Sequence, residues 1–460
     1  MTFFSIEFAL IFIMFFVTYW IFYKNYKIQN YIILFFNYML IFSFSPYFTL
    51  IVLLHTCFIS YFGLFIAYRE NKNALFSGLF VTILFLCFFK YYDFIHSDFK
   101  TLLFLLKFDF LAKNLDIALP IGISFYTFSS ITYLVGIYKK EQEVAEFIPL
   151  ACYLSFFATL LAGPIAKSNF MIPQFCKARK FENIDLIITL VILGITKKAL
   201  IANYLNIQVS AVFSDPHSFN ALEIITAVYL YGAWLYCDFS GYVDIVTAMA
   251  LSIGFYLPIN FNMPHIAVNL KDFWKRWHIS LSNFIKENIY IPLGGNKNGF
   301  LETQINLIIA FALSGIWHGV GINFLIWGLL HGFGIMFLNI LQKAKINISE
   351  KLPLFSMCIT YTFVSITWIF FDRNDFDEAF NILNLMFNNE NKIMLNDVIL
   401  FVALCILFLI YPFLKNLKDV ISGFLRATPT ILKPFVLAIF FVFIFAIMPD
   451  GIPDFIYSSF

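Results

Sequence analysis

Two histidines sit where few polar side chains belong. His318 lies in SGIWHG, residues 314–319, between two apolar runs, and His278 lies in KRWHIS, residues 275–280, followed directly by IPLGGN. An imidazole with a pKa of ~6.5 takes up and returns a proton near neutral pH. At membrane depth such a group is costly and is a functional residue by default. Gly315 and Gly319 would let another helix or a ligand approach the His318 ring closely, and the competing reading is a core histidine hydrogen-bonded to a neighbouring helix. The paired glycines after His278 predict a tight turn under close backbone packing. His331, in WGLLHG, is thirteen residues beyond His318, so a helix turns it to a different face; its expected role is structural. Asp238, Ser240 and Asp244, in CDFSGYVD, either line a pore or bridge helices. The chain closes on PDFIYSSF, where Tyr457 offers a phenol near an end without positive charge. The seven cysteines are scattered without a C-x-x-C pair, which predicts small buried hydrophobes rather than disulfides or metal ligands.

The surroundings that must position these groups are almost wholly apolar. Of 460 residues, 61% are hydrophobic and 13% charged, and the mean hydropathy is +0.83, which excludes an ordinary soluble domain. Runs long enough to cross a ~30 Å hydrocarbon core recur from residues 7–23 to 435–447, and include 147–163, 184–202, 221–236, 243–256 and 305–316. They predict an all-α, polytopic membrane protein with about eleven to thirteen helices that span or lie deep. A net charge of +2 gives no reason to expect a nucleic-acid partner. Basic residues cluster between runs, at Lys24 and Lys27, at Arg69 and Lys72, at 167–180 and at 271–297, which the positive-inside tendency puts in the cytoplasm. Both chain ends are then expected outside; Lys90, Lys100, Lys139 and Lys140 fit this scheme less neatly. No cleavable leader is evident in residues 3–20. Residues 269–299 form the longest polar interruption. There Phe273, Trp277, Leu281, Phe284 and Ile285 recur at helical spacing, which predicts an amphipathic helix in the cytoplasmic interface with tryptophans at headgroup level.

The run from FSGYVD through FWKRWHISLS and IPLGGN to SGIWHG closely resembles the membrane-bound O-acyltransferase family, in its bacterial branch of alginate, peptidoglycan and teichoic-acid modifying proteins. LPIGISFYTFSSITYLVGIY (119–138), FATLLAGPI (157–165) and WIFFDRNDFDEAFNIL (368–383) extend the resemblance over most of the chain. It implies a membrane domain over residues 1–448, with its signature at 238–319 and a donor-side interfacial segment at 269–299, whose helices ring a tunnel through a thinned centre. It implies catalytic roles for His318 and His278, and substrate contacts from Trp274, Trp277 and Trp317. Lys271, Lys275 and Arg276 suit the phosphates of acetyl-CoA, and lipid headgroups equally well. Asp372-Arg373 stands where the family usually carries an arginine and acidic pair, with its role open.

The resemblance further implies an O-acetyltransferase of the bacterial inner membrane with no bound cofactor, taking acetyl from a cytoplasmic thioester and serving a soluble periplasmic O-acetyltransferase that modifies a cell-envelope polysaccharide. Peptidoglycan is the favoured polymer; alginate or another exopolysaccharide is the alternative. A transporter or flippase would show paired halves with corresponding broken helices, and no such repeat is evident. Acylation of a lysophospholipid or a lipidated protein is a further alternative within the superfamily. The tail 449–460 resembles the aromatic motif around an acyl-carrying tyrosine in the small partner of the D-alanylation system. Tyr457 would carry the acyl group, with Phe455 and Phe460 seated in apolar pockets.

Overall fold

The computed structural model describes residues 5–105, 118–373 and 375–449. Phe455, Tyr457 and Phe460 lie outside the described residues. Those described form helices joined by turns and loops, with no strand among them. Among the described residues, seven helical stretches are both long and apolar enough to cross a membrane, Pro46–Arg69, Lys72–Tyr92, Phe300–His318, Ile322–Lys343, Pro353–Asp372, Leu395–Ala427 and Thr430–Ile447. The remaining apolar runs take other forms for local reasons. Residues 147–163 break into Phe147–Ser155 and Phe157–Leu160, because Asn37 reaches the break: its Nδ2 donates to Ser155 Oγ at 3.3 Å and its Oδ1 accepts from Phe157 N–H at 3.2 Å. The two runs at 221–236 and 243–256 join into one helix, Ala221–Ser252, since CDFSGYVD keeps its polar side chains on interhelical partners.

The chain divides into two compact units. The first comprises residues 1–182 and 249–258. Buried Arg179 ties its helices together, donating to the carbonyl of Phe175 at 3.1 Å, to Asn30 Oδ1 and to Gln29 Oε1. Tyr19 donates to the carbonyl of Ile253 at 2.8 Å. Lys140 pairs with Glu70 at 2.9 Å. This puts Lys140 at the same helix end as Arg69.

The second unit comprises residues 183–248 and 259–460 and contains both candidate histidines. Phe300–His318 and Ile322–Lys343 form a tight antiparallel hairpin. Small residues set its closeness: a Cβ at Gly315 would stand 2.1 Å from the Phe324 carbonyl oxygen, and one at Gly328 would stand 2.3 Å from that of Phe311. Gly315 and Gly319 thus admit the neighbouring helix. Earlier in the chain, Ile184–Ile195 passes through a π-helical segment, Thr196–Ile201, into Ala202–Ser214. Its wider turn carries Lys197 and Lys198 against Ala221–Ser252, where Gly241 admits Lys198 closely.

Candidate active site

His318 is the last residue of Phe300–His318 and is 3% exposed. Its ring meets Trp327 edge-on at 5.1 Å, Phe371 at 5.0 Å and its neighbour Trp317 at 4.6 Å. Beyond Trp327 lies His331, fully buried, with ring centroids 5.0 Å apart.

The partners of His331 fix its tautomer. Trp274 Nε1–H, which can only donate, approaches Nδ1 at 3.3 Å, so Nδ1 accepts. Nε2 then carries the proton and donates to Thr367 Oγ1 at 3.1 Å, and the Thr367 hydroxyl donates in turn to the Val364 carbonyl at 2.8 Å. Every polar atom of the ring is committed. Trp274 is the partner of His331, and its N–H joins the polar segment to the hairpin.

The segment 269–299 is not one amphipathic helix. Leu270–Trp274 ends, the backbone turns, and Ile279–Ile285 begins with His278 as its N-cap at φ 42° and ψ 53°. A left-handed conformation is uncommon for a bulky side chain and persists where the surroundings over-determine it. Here the Ile279 N–H donates to the Asn260 carbonyl and the Asn262 N–H to the Arg276 carbonyl, both at 2.9 Å, pinning the turn from either side. The expected headgroup position of the tryptophans gives way to burial: Trp277 is 3% and Trp274 8% exposed, and the Trp277 ring lies 5.0 Å from that of Trp368.

His278 is 1% exposed and edge-on to Phe239 at 5.0 Å. Its Nδ1 lies 3.2 Å from Asn260 Oδ1, which also accepts from the Ser280 backbone N–H at 3.2 Å and Oγ at 2.8 Å. A backbone N–H only donates, so the shared Asn260 atom is the carbonyl oxygen and Nδ1 of His278 carries the proton. Nε2 is then the unprotonated nitrogen. Burial pushes the pKa of His278 down to about 3. The ring is therefore neutral at physiological pH.

The basic residues differ among themselves. Lys271 donates to Gln342 at 2.9 Å, and burial together with the nearby Lys275 ammonium lowers its pKa. Arg276 pairs with Asp272 at 2.9 Å and donates to the Asn262 carbonyl at 3.3 Å. Lys275 is exposed. Asp372 accepts from Arg373 Nε at 2.7 Å, and Arg373 also reaches the Phe213 carbonyl at 3.1 Å, so this pair fastens helix ends. Asp238 and Asp244 prove to be bridging residues: Asp238 pairs with Lys198, both buried, and Asp244 with Lys197 at 2.6 Å.

Sequence reasoning passed over Lys197 and Lys198, whose signal was two adjacent lysines inside an apolar run. It also passed over His265. This residue is 7% exposed and is ringed by Tyr361 at 4.8 Å, Tyr236 at 5.1 Å, Tyr411 at 5.8 Å and Trp368 at 6.4 Å. The available signal was a histidine directly after a proline in an aromatic stretch. Among the described residues no group of three or more His, Cys, Asp or Glu side chains could hold a metal ion.

The fold is that of a helical, multi-pass membrane protein, with several imidazoles buried inside it. The family model for the MBOAT, membrane-bound O-acyltransferase family matches residues 90–370, and the chain belongs to that family. It is an acyltransferase. It is 31% identical over 449 residues to the peptidoglycan O-acetyltransferase of Helicobacter pylori, covering 84% of each chain. It is 31% identical over 333 residues to a probable alginate O-acetylase of Pseudomonas aeruginosa, covering 70% of this chain and 61% of that one. A teichoic acid D-alanyltransferase of Bacillus subtilis is 28% identical over 222 residues, covering 45% and 55%.

Proposed function

We propose that the protein takes acetyl from a cytoplasmic thioester and passes it through the inner membrane for O-acetylation of a cell-envelope polysaccharide, peptidoglycan before alginate. The observation that carries this reading is the burial of His318 among Trp317, Trp327 and Phe371 inside the family-matched segment. The likeness to the Helicobacter pylori protein over 84% of both chains supports the polymer.

In the proposed step a hydroxyl gives its proton to neutral His318 as its oxygen attacks the thioester carbonyl carbon. The C–S bond breaks, the departing thiolate takes the proton from His318, and an ester remains. His278 accepts a hydrogen bond from an N–H or O–H of the bound reactants. Lys275, with Lys271 and Arg276 beside it, faces the phosphates of acetyl-CoA or of a carrier-protein thioester at the cytoplasmic mouth of a tunnel. Trp277 and Trp317 line the path beside the two histidines.

The attacking hydroxyl is the phenol of Tyr457, whose pKa of ~10 makes it far easier to deprotonate than a sugar hydroxyl. The aryl ester keeps a good leaving group for a soluble periplasmic transferase. Nine residues from Met448 to Tyr457 span up to roughly 30 Å when extended, enough to reach the midplane of a ~30 Å core from its outer face; Phe455 and Phe460 would anchor the inserted tail. The test is mass spectrometry of protein trapped during turnover with acetyl-CoA. Acetyl on the C-terminal peptide, and its loss with glycan acetylation in Tyr457→Phe, is expected. Full glycan acetylation by Tyr457→Phe refutes the relay.

A further inference from the structure

The aromatic box around His265 holds a buried polar group that the chemistry above does not use. Neither ring nitrogen has a hydrogen-bond partner among the described residues. Burial also holds this ring neutral, with its pKa pushed down to about 3. A neutral imidazole has one donor and one acceptor nitrogen. The faces of Tyr361 and Tyr236, met nearly edge-on at interplanar angles of 70° and 80°, can receive an N–H weakly. They offer nothing to the acceptor nitrogen. Nor is the phenol of Tyr361 available, since it donates to the Tyr229 carbonyl at 2.7 Å. A buried acceptor left without a donor costs about 1–3 kcal/mol, so the box calls for a guest that brings one.

Two further observations say what guest. Asn262, three residues before His265, accepts from Arg276 through its carbonyl and donates to the Arg276 carbonyl; the box is thereby tied to Arg276, which neighbours Lys275 in the basic segment 271–276. At its other side Trp368 touches both His265 and Trp277, the neighbour of His278. The box therefore lies between a phosphate-suited cluster and a candidate catalytic residue. Its walls are aromatic, its polar groups are the imidazole and the tyrosine phenols around it, and a guest that suits it has an apolar chain carrying an amide N–H.

We infer that His265 is a binding residue for the pantetheine arm of the acyl donor, accepting a hydrogen bond from one of its amide N–H groups while Tyr236, Tyr361 and Trp368 pack its methylene and methyl groups. The inference rests on the thioester-donor reading above. The same arm occurs in acetyl-CoA and in an acylated carrier protein, so the site serves either source.

The experiment measures acetyl transfer by the purified full-length protein with three donors: acetyl-CoA, an acetylated carrier protein and S-ethyl thioacetate, which lacks the arm. His265→Phe keeps a ring in the box and removes both nitrogens; His265→Gln restores a donor and an acceptor. The expected result is a KM for the arm-bearing donor raised roughly tenfold in His265→Phe, the fold-change for about 1.4 kcal/mol, with kcat little changed and partial recovery in His265→Gln. Transfer from S-ethyl thioacetate is expected to be equal in wild type and variants, and whichever arm-bearing donor the wild type uses identifies the source. An unchanged KM for that donor overturns the inference, as does an equal loss with S-ethyl thioacetate, which would show a packing role or a bound water. A wild type inert with all three donors instead overturns the thioester reading itself. Calorimetric titration of CoA gives a readout independent of turnover: binding weakened about tenfold in His265→Phe supports the subsite, and unaltered binding contradicts it.

Discussion

The indole N–H of Trp274 donates to Nδ1 of His331 at 3.3 Å, and this bond joins the polar segment at 270–274 to the helix Ile322–Lys343. Because Nε2 is committed to Thr367 as well, His331 has no proton to move. Trp274→Phe leaves a buried acceptor unpaired, which costs about 1–3 kcal/mol. The expected outcome is a lowered unfolding temperature in detergent with kcat of the surviving folded protein unchanged. A loss of kcat at unchanged stability would return Trp274 and His331 to the reaction.

Lys198 and Asp238 form an ion pair with 0% and 1% of their side chains exposed. Removing one member of a buried pair leaves an isolated charge and typically costs about 3–5 kcal/mol. Lys198→Ala is predicted to reduce the yield of folded protein sharply, and Lys198→Met with Asp238→Leu to restore it. Equal yields for Lys198→Ala and wild type would show that the pair contributes little to the helix packing.

His265 and His278 predict how stability depends on pH. Burial lowers both from 6.5 to about 3, so below pH 6.5 the unfolded chain binds protons that the folded chain refuses. Stability from these groups is complete above about 6.5 and is lost as pH falls towards 3, with a limiting slope of ~1.4 kcal/mol per pH unit for each histidine. Unfolding midpoints in detergent between pH 7.5 and 5 should fall, and less steeply in His265→Phe and in His278→Gln. Identical slopes in wild type and variants would contradict the burial of neutral rings.

Much of this was legible in the sequence. Hydropathy marked the membrane helices, and the isolated histidines in RWHIS and IWHG stood out because apolar surroundings make a polar group conspicuous. The break at His278 was not legible: the 3.6-residue spacing of Phe273, Trp277 and Leu281 runs straight through it, and the turn is enforced from Asn260 and Asn262, distant in sequence from the helix they interrupt. For the same reason periodicity predicted interfacial tryptophans where Trp368 and His331 supply buried partners. Lys197 and Lys198 were hidden inside an apolar run, and only their acidic partners, about forty residues on, explain how two ammonium groups are tolerated there. His265 escaped because its significance lies in four aromatic rings drawn from helices and turns spread over residues 236–411.

The central claim is that His318 moves the proton in acyl transfer. It is tested most directly by the rate of labelled acetyl transfer from acetyl-CoA by purified protein in lipid vesicles, comparing wild type with His318→Ala at matched folded protein. A positioned general base contributes about 10²- to 10⁴-fold, so the account predicts a fall of that size with an unfolding temperature close to wild type. Transfer by His318→Ala at the wild-type rate would contradict it.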